Sequence, residues 1–315
     1  MSWEVRPYAG PEFAAVVRLL ARALAGDAMT EGLFARKVLL DPSFDPQGAP
    51  VAWMDGRPVG FLLAIARVRP LEDGPDDRDR GWITLFGVEA AARNRGIGSA
   101  LLERGTSFLA ARGCKRALVS PYAPNYWVPG VDPAAYPEAV AFLERRGFAT
   151  VARPISMDVR LWGGWRIPDW VQERQARLAQ EGVRLEAFSP ALIPALTAFL
   201  REEFPGDWQR YLREAMLEVV AGRRPPESLL VAWDGDRMIG FSQHEGERFG
   251  PFGVAASQRG RGVGALLLFH TLEQMRRAGC HNAWFLWTDD RNADRIYKSA
   301  GFVESRRYAV MARDL

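Results

Sequence analysis

A chain of 315 residues, 48% apolar and 25% charged, has the makeup of a folded polypeptide long enough for about two domains, each with its own core. A net charge of +3, with acidic residues spread throughout, argues against the basic stripe of a nucleic-acid binder, and no run approaches the ~18 apolar residues of a membrane span. Two cysteines, and no apolar signal core over residues 1–6, point to a reducing compartment and a soluble cytoplasmic protein.

In chain order, a strand is expected over 3–8 and a helix over 11–24. Strands at 51–54 and 59–68 flank Asp55-Gly56, a hairpin-turn pair. A Pro/Gly-bearing insertion around 69–75 precedes a strand that ends in Phe86-Gly87-Val88. A glycine turn and a long helix follow, then a strand over 116–120 and an aromatic, proline-stiffened loop from Tyr122 to Tyr136. A short helix, Gly147-Phe148 and a last strand close this half. Trp162-Gly163-Gly164-Trp165-Arg166-Ile167-Pro168 suits a boundary, and a connecting helix over 169–180 stops at Gly182. The two tryptophans would either pack the halves together or cap the core of one.

The same order then repeats. A strand over 183–188, a helix over 190–204, and strands at 229–233 and 238–242 about Asp234-Gly235 lead to a strand ending in Phe252-Gly253-Val254. A glycine turn follows, then a helix with Leu268, Leu272 and Met275 at amphipathic spacing, a strand over 283–288, a short helix, Gly301-Phe302 and a last strand. From Phe86 to Leu102 and from Phe252 to Leu268 the two halves share ten identities in seventeen positions, at an offset of 166 without a gap. Cys114 and Cys280 stand at the same offset, which argues against a disulfide between them. Interleaved strands and helices make the class α/β, with domains expected at 1–161 and 183–315 and a helical linker at 162–182.

A glycine turn that opens a helix is an anion site. The first N–H groups lack intrahelical acceptors, and the helix dipole is positive there. Gly96 and Gly98, with Arg93 and Arg95, form one such turn; Gly262 and Gly264, with Arg259 and Arg261, form the other. A turn needed only for close strand–helix packing would look the same once; two matched copies favour the pyrophosphate reading. A P-loop would need lysine in the turn, and a dinucleotide fingerprint would need glycine at Leu101 or Leu267.

Arg-x-x-Gly-x-Gly after a strand, Asn292 and Tyr297 five residues apart, and a closing Gly301-Phe302 resemble the GNAT superfamily of N-acetyltransferases. The resemblance covers nearly the whole chain twice, omitting roughly the linker. It implies two tandem GNAT domains, each a mixed, largely antiparallel sheet flanked by helices, and acetyl-CoA as co-substrate. In the second copy it implies a cofactor site built from Phe252, Gly253, Val254, Arg259, Gly260, Arg261, Gly262, Val263, Gly264, Ala265 and Asn292. Backbone N–H groups of Arg261 to Ala265 would take the pyrophosphate, the Val254 N–H would polarise the thioester carbonyl, and Tyr297 would protonate the leaving thiolate. In the first copy the matching positions are Val88, Arg93, Asn94, Arg95, Gly96, Ile97, Gly98 and Ser99.

The general base is poorly marked. Glu245 or Glu247 is the candidate, between two strands and beside His244, with Asp289 and Asp290 ending the next strand. Histidines at 244, 270 and 281 have no metal-ligand spacing, so no metal is expected. The first copy departs from the pattern, with Leu143 where Tyr297 stands and Glu138 opposite Asn292. Tyr122, Tyr126 or Tyr136 could supply a hydroxyl instead. The expectation is an acetyltransferase for a small-molecule or peptide amine, catalytic in the second copy, with no nucleic-acid or membrane partner. The alternative is a non-catalytic acyl-CoA sensor or interaction protein; a transferase of a longer acyl chain is a further option.

Overall fold

The computed structural model of the chain describes residues 2–123, 125, 127–289 and 292–315, of which 292–294 by backbone alone. In chain order the first elements are β1 (Trp3–Pro7), α1 (Phe13–Ala23), α2 (Glu31–Phe34), β2 (Pro50–Met54), β3 (Arg57–Ala66) and β4 (Arg80–Val88). Next come α3 (Ile97–Ala111), β5 (Arg116–Val119), α4 (Pro137–Glu144), β6 (Ala149–Ala152), β7 (Ile155–Arg160) and α5 (Asp169–Gln180). The remainder are β8 (Val183–Ala187), α6 (Ile193–Glu203), α7 (Asp207–Val220), β9 (Leu229–Asp234), β10 (Arg237–Glu245) and β11 (Arg248–Val254). The chain closes with α8 (Val263–Arg277), β12 (Asn282–Thr288), α9 (Asn292–Ser299), β13 (Val303–Arg307) and β14 (Val310–Asp314).

Two compact units result. The first is Met1–Pro70, Asp76–Pro154 and Arg307–Leu315; the second is Leu71–Pro75 and Ile155–Arg306. Each holds a mixed seven-stranded sheet, in the orders β1-β2-β3-β4-β5-β14-β6 and β13-β7-β12-β11-β10-β9-β8. In the first unit β3 is buried almost throughout because helices cover both faces. Phe61, Leu63 and Ile65 join the core beside α1, while Leu62, Ala64 and Ala66 join the core beside α3. In the second unit Phe241 packs with α6 and α7, and Ile239 with the start of α8.

The contiguous boundaries expected from the sequence differ from these units in two strands. Each half's last strand completes the other half's sheet: β7 pairs with β12, and β14 lies between β5 and β6, with Met311 opposite Val119 on one side and Thr150 on the other. Strand alternation reveals that a strand exists but not which edge it joins, because either sheet satisfies its backbone groups. Of the two boundary tryptophans only Trp165 caps the second core, stacking on Phe269 and donating to Ala300 O at 3.2 Å; Trp162 is exposed, and Trp170 of α5 meets Phe269 edge-on. Helix α7 was not among the expected elements. Among the described residues no helix is long and apolar enough to cross a membrane.

Candidate active site

Two parallel strands separate at the centre of each sheet. In the first unit β4 and β5 stay in register from Arg80–Arg116 to Ile83–Val119; in the second, β11 and β12 pair at Arg248–Trp284. A β-bulge marks the parting in both. Thr84 is extra opposite the Leu63–Ala64 step, and Gly250-Pro251 face the single residue Gln243. The two bulges share the 166-residue offset, and bulges re-aim the strand that follows them.

The re-aimed strand presents one backbone donor. Ala255 N–H donates to Ile239 O at 2.9 Å. Bonded and non-bonded pairs alternate along an antiparallel ladder, so the next pair, Gly240–Val254, is non-bonded. The Val254 N–H therefore points away from β10, into the gap beside β12. Its C=O accepts from Arg259 Nε at 3.4 Å. The first unit repeats this arrangement: Glu89 N–H donates to Val59 O at 2.8 Å, Gly60 faces Val88, and Val88 O accepts from Arg93 Nε at 3.2 Å.

Beyond each valine the glycine turn opens a helix. Gly262 (φ 102°) and Gly96 (φ 82°) are left-handed N-caps of α8 and α3, where an L side chain would be strained. Gly260 (φ 82°) and Asn94 (φ 61°) are left-handed as well. Ala265 N–H already donates to Gly262 O at 3.1 Å. The expected donor set from Arg261 to Ala265 therefore loses Ala265, and the first-turn N–H groups of Val263 and Gly264 are the ones that lack intrahelical acceptors.

Charge at the second turn is arranged differently from what the spacing suggested. Arg261 is committed to Asp234 (2.6 Å), Glu181 (2.9 Å) and Gln258, so its guanidinium braces the turn rather than facing an anion. A cation arrives instead from α5. The Cβ that Gly262 lacks would stand 2.3 Å from Arg174 Cδ and 3.0 Å from its Nε. Nothing in the repeat marks Arg174, because α5 lies outside both copies; only the fold brings it to the turn.

Tyr297 lies on α9, 7% exposed, against Phe285 (ring centroids 4.2 Å apart), Phe302 (5.5 Å), Phe252 (5.9 Å) and Phe249 (6.2 Å). Burial among these rings pushes its hydroxyl well above the ordinary phenol value, so it keeps its proton throughout the neutral range. Phe252 and Phe249 come from β11 and Phe285 from β12, so the ring is set by both sides of the gap. The Asn292 side chain lies outside the described residues, as does Asp290.

The structure does not bring the two candidate bases to Val254. Glu247 sits in the β10–β11 turn and accepts from His281 N and Asn282 N, both at 3.0 Å, at the start of β12. Glu245 pairs with Arg248 at the same end. Glu245 is five residues along β10 from Gly240, the partner of Val254, and Glu247 is seven residues from Val254 along β11, so roughly 15–23 Å separates each from it at ~3.3 Å per residue. The β10–β11 turn is at the paired end of the two parallel strands, whereas the reaction gap opens at the other. His244, buried beside them, has its Nδ1 3.0 Å from Gly246 O, and burial lowers its pKa.

Side chains of the first unit pair around the first turn, while Asn94 and Gly96 themselves stay exposed. Arg93 pairs with Glu138 at 3.2 Å, the position opposite Asn292. Arg146 stacks on Phe142 at 3.6 Å and donates to Ser99 Oγ in the first turn of α3. Trp3 donates to Arg95 O at 3.0 Å, and its ring lies 3.6 Å from where a Gly96 Cβ would be. Leu143 is buried in the apolar core at the place of Tyr297. The alternative hydroxyls are engaged elsewhere. Tyr122 OH donates to Asp41 at 3.1 Å and is pushed up to about 12, chiefly by burial and then by Asp41. Tyr136 OH donates to Asp27 at 2.9 Å and accepts from Gly26 N. Tyr126 lies outside the described residues.

This twofold geometry has a counterpart among known proteins. The sequence profile described as the acetyltransferase (GNAT) family matches residues 21–148 and again 193–302. The chain belongs to the GNAT family. No curated protein matches it by sequence. Among solved structures it is similar to a GCN5-related glucosamine N-acetyltransferase region of a fungal multi-domain GH3 β-N-acetylglucosaminidase, with TM-score 0.81 and 18% identity. That match covers 99% of this chain and 38% of the other, so this chain spans about two fifths of the longer protein. A GCN5-related N-acetyltransferase from Sphaerobacter thermophilus matches at TM-score 0.73 and 20% identity, over 99% of this GNAT chain and 95% of its own. A tandem GNAT protein from the clavulanic acid biosynthesis pathway matches at 0.63 and 17%, over 99% and 98%. At these identities the likeness shows the tandem fold alone.

Proposed function

We propose that the chain transfers the acetyl group of acetyl-CoA to a primary amine, by direct attack in a ternary complex, and that the second unit alone carries the reaction. The observation that supports this reading is that one unit holds the outward Val254 N–H, the α8 turn flanked by Arg174, and a protonated Tyr297 packed on Phe252, two residues before Val254. The diphosphate would sit on the Val263 and Gly264 N–H groups beside Arg174. The pantetheine arm would run along the open edge of β11. As the amine nitrogen bonds to the carbonyl carbon, the Val254 N–H would hold the developing oxyanion. The carbon–sulfur bond breaks, and the thiolate takes the Tyr297 proton. The proton shed by the amine restores the phenol through solvent.

The reading is tested by thiol release from acetyl-CoA with a panel of small amines, polyamines, aminosugars and peptides. Turnover with at least one amine is expected. Acetyl-CoA binding with no turnover on any of them would favour the sensor reading.

A further inference from the structure

Residues 71–75 belong to the second unit, although the chain carries them between β3 and β4 of the first copy. They dock on the corner where α6 turns into α7. Glu72 takes a two-pronged contact from Arg213, Nη1 to Oε1 at 2.6 Å and Nη2 to Oε2. The Glu72 C=O accepts from Gly206 N at 2.8 Å and from Gln209 Nε2 at 3.5 Å. Asp73 Oδ2 accepts from Arg201 Nε at 3.0 Å and from Gln209 at 3.4 Å. Gln209 is 3% exposed, so its amide is spent on this segment. A Cβ on Gly74 would stand 3.2 Å from Gly206 Cα, so the two backbones touch.

The same corner grips the end of β11 on either side of Val254. A Cβ on Gly253 would lie 2.4 Å from Phe204 Cζ, so the ring rests directly on that backbone. Phe204 is held in turn by Trp208, stacked at 5.1 Å, and by Phe241 at 5.6 Å. Two residues beyond Val254, Ala256 N–H donates to Glu203 Oε2 at 2.9 Å. The corner residues 203–206 thus hold the chain on either side of the outward N–H, at Gly253 and Ala256, and the 71–75 segment holds the corner.

We infer that residues 71–75 are a positioning strap for the second unit's reaction centre: through Gly206, Gln209 and Arg213 they hold the 203–206 corner, and the corner holds the Val254 donor. This rests on the proposed reaction in that unit, and it gives the first copy a part in catalysis without a catalytic residue of its own. The strap touches the donor side and not the α8 turn, so its loss lowers kcat more than it weakens acetyl-CoA binding, to which β11 also contributes through the pantetheine arm.

The test uses the full chain with Glu72→Arg, which sets like charges against each other at Arg213, and the swapped pair Glu72→Arg/Arg213→Glu. Asp73→Asn serves as a milder second variant that leaves the Arg213 contact in place. Hydrogen exchange is followed over residues 203–213 and 252–258, alongside kinetics with the panel amine that turns over fastest. In Glu72→Arg, exchange at both segments rises and kcat falls about two- to fivefold, the size an exposed ion pair supports, with a smaller change in acetyl-CoA KM. The swapped pair restores both, and Asp73→Asn shifts them in the same direction by less. Faster exchange at 203–213 with 252–258 and kcat unchanged would overturn the proposal. Should no amine turn over, the reaction in the second unit fails as a reading, while the exchange data still decide the strap.

Discussion

The two glycine turns share one pattern within two matched halves. Both present an outward valine N–H and a left-handed glycine cap, because strand, bulge and turn are the same in each. They differ in what surrounds the cap. The second is flanked by Arg174 and faces Tyr297 across an aromatic cluster. The first has Trp3 beside an exposed cap, its Arg93 is paired with Glu138, its Ser99 accepts from Arg146, and Leu143 fills the place of the acid. Both caps need glycine for the same reason, a left-handed φ that strains any L side chain, whatever surrounds them.

Changes to the shared donor should separate the units most sharply. Val254 lies in a non-bonded ladder pair, so Val254→Pro removes the donor without removing a β10 hydrogen bond. A loss of about 10²–10³ in kcat is expected, with a folded circular dichroism spectrum. Val88→Pro, the matched change, should leave kcat within about twofold. Equal losses from both would break the asymmetry. Charge at the caps comes next. Arg174→Glu should weaken acetyl-CoA binding roughly tenfold to hundredfold by calorimetry, the scale of a charged hydrogen bond, whereas Trp3→Ala should not alter turnover.

The smallest effect concerns acid stability. All three histidines lie in the second unit. Burial lowers the pKa of His244 and His270 below the ordinary 6.5. The unfolded imidazole then takes up its proton at higher pH than the folded one. Their contribution is therefore complete above pH 6.5 and is lost as pH falls through the lowered folded values. Exchange protection of α8 should drop between pH 7 and 5 while that of α3 holds. His244→Gln should flatten the drop, and a parallel loss in α3 would contradict the assignment.

The tandem fold was legible in the sequence because the repeat, the hairpin turns and the glycine caps are local signals. Helix α7 was legible too, through Leu212, Met216 and Val219 at helical spacing, but the reading passed from helix directly to strand over 207–220. Other features lay beyond local pattern. Exchange of β7 and β14 depends on which edges meet. Arg174 sits on a helix outside the repeat, and Glu72 reaches its partner, Arg213, across 141 residues. Glu247 illustrates the opposite error. A carboxylate beside the central strands looked like a base, but its place at the paired end of those strands makes it a cap for backbone N–H groups. Arg261 likewise carries the motif's charge and spends it on Asp234 and Glu181.

Of two similar cradles only the second is proposed to react, and Tyr297, where the first unit has Leu143, is the residue that decides it. Turnover and acetyl-CoA binding should be measured in Tyr297→Phe, which keeps the ring among Phe249, Phe252, Phe285 and Phe302 and removes only the hydroxyl. A fall in kcat of about 10²-fold or more is expected, with cofactor affinity preserved. Unchanged turnover would contradict it and return the first unit, or another acid, to consideration.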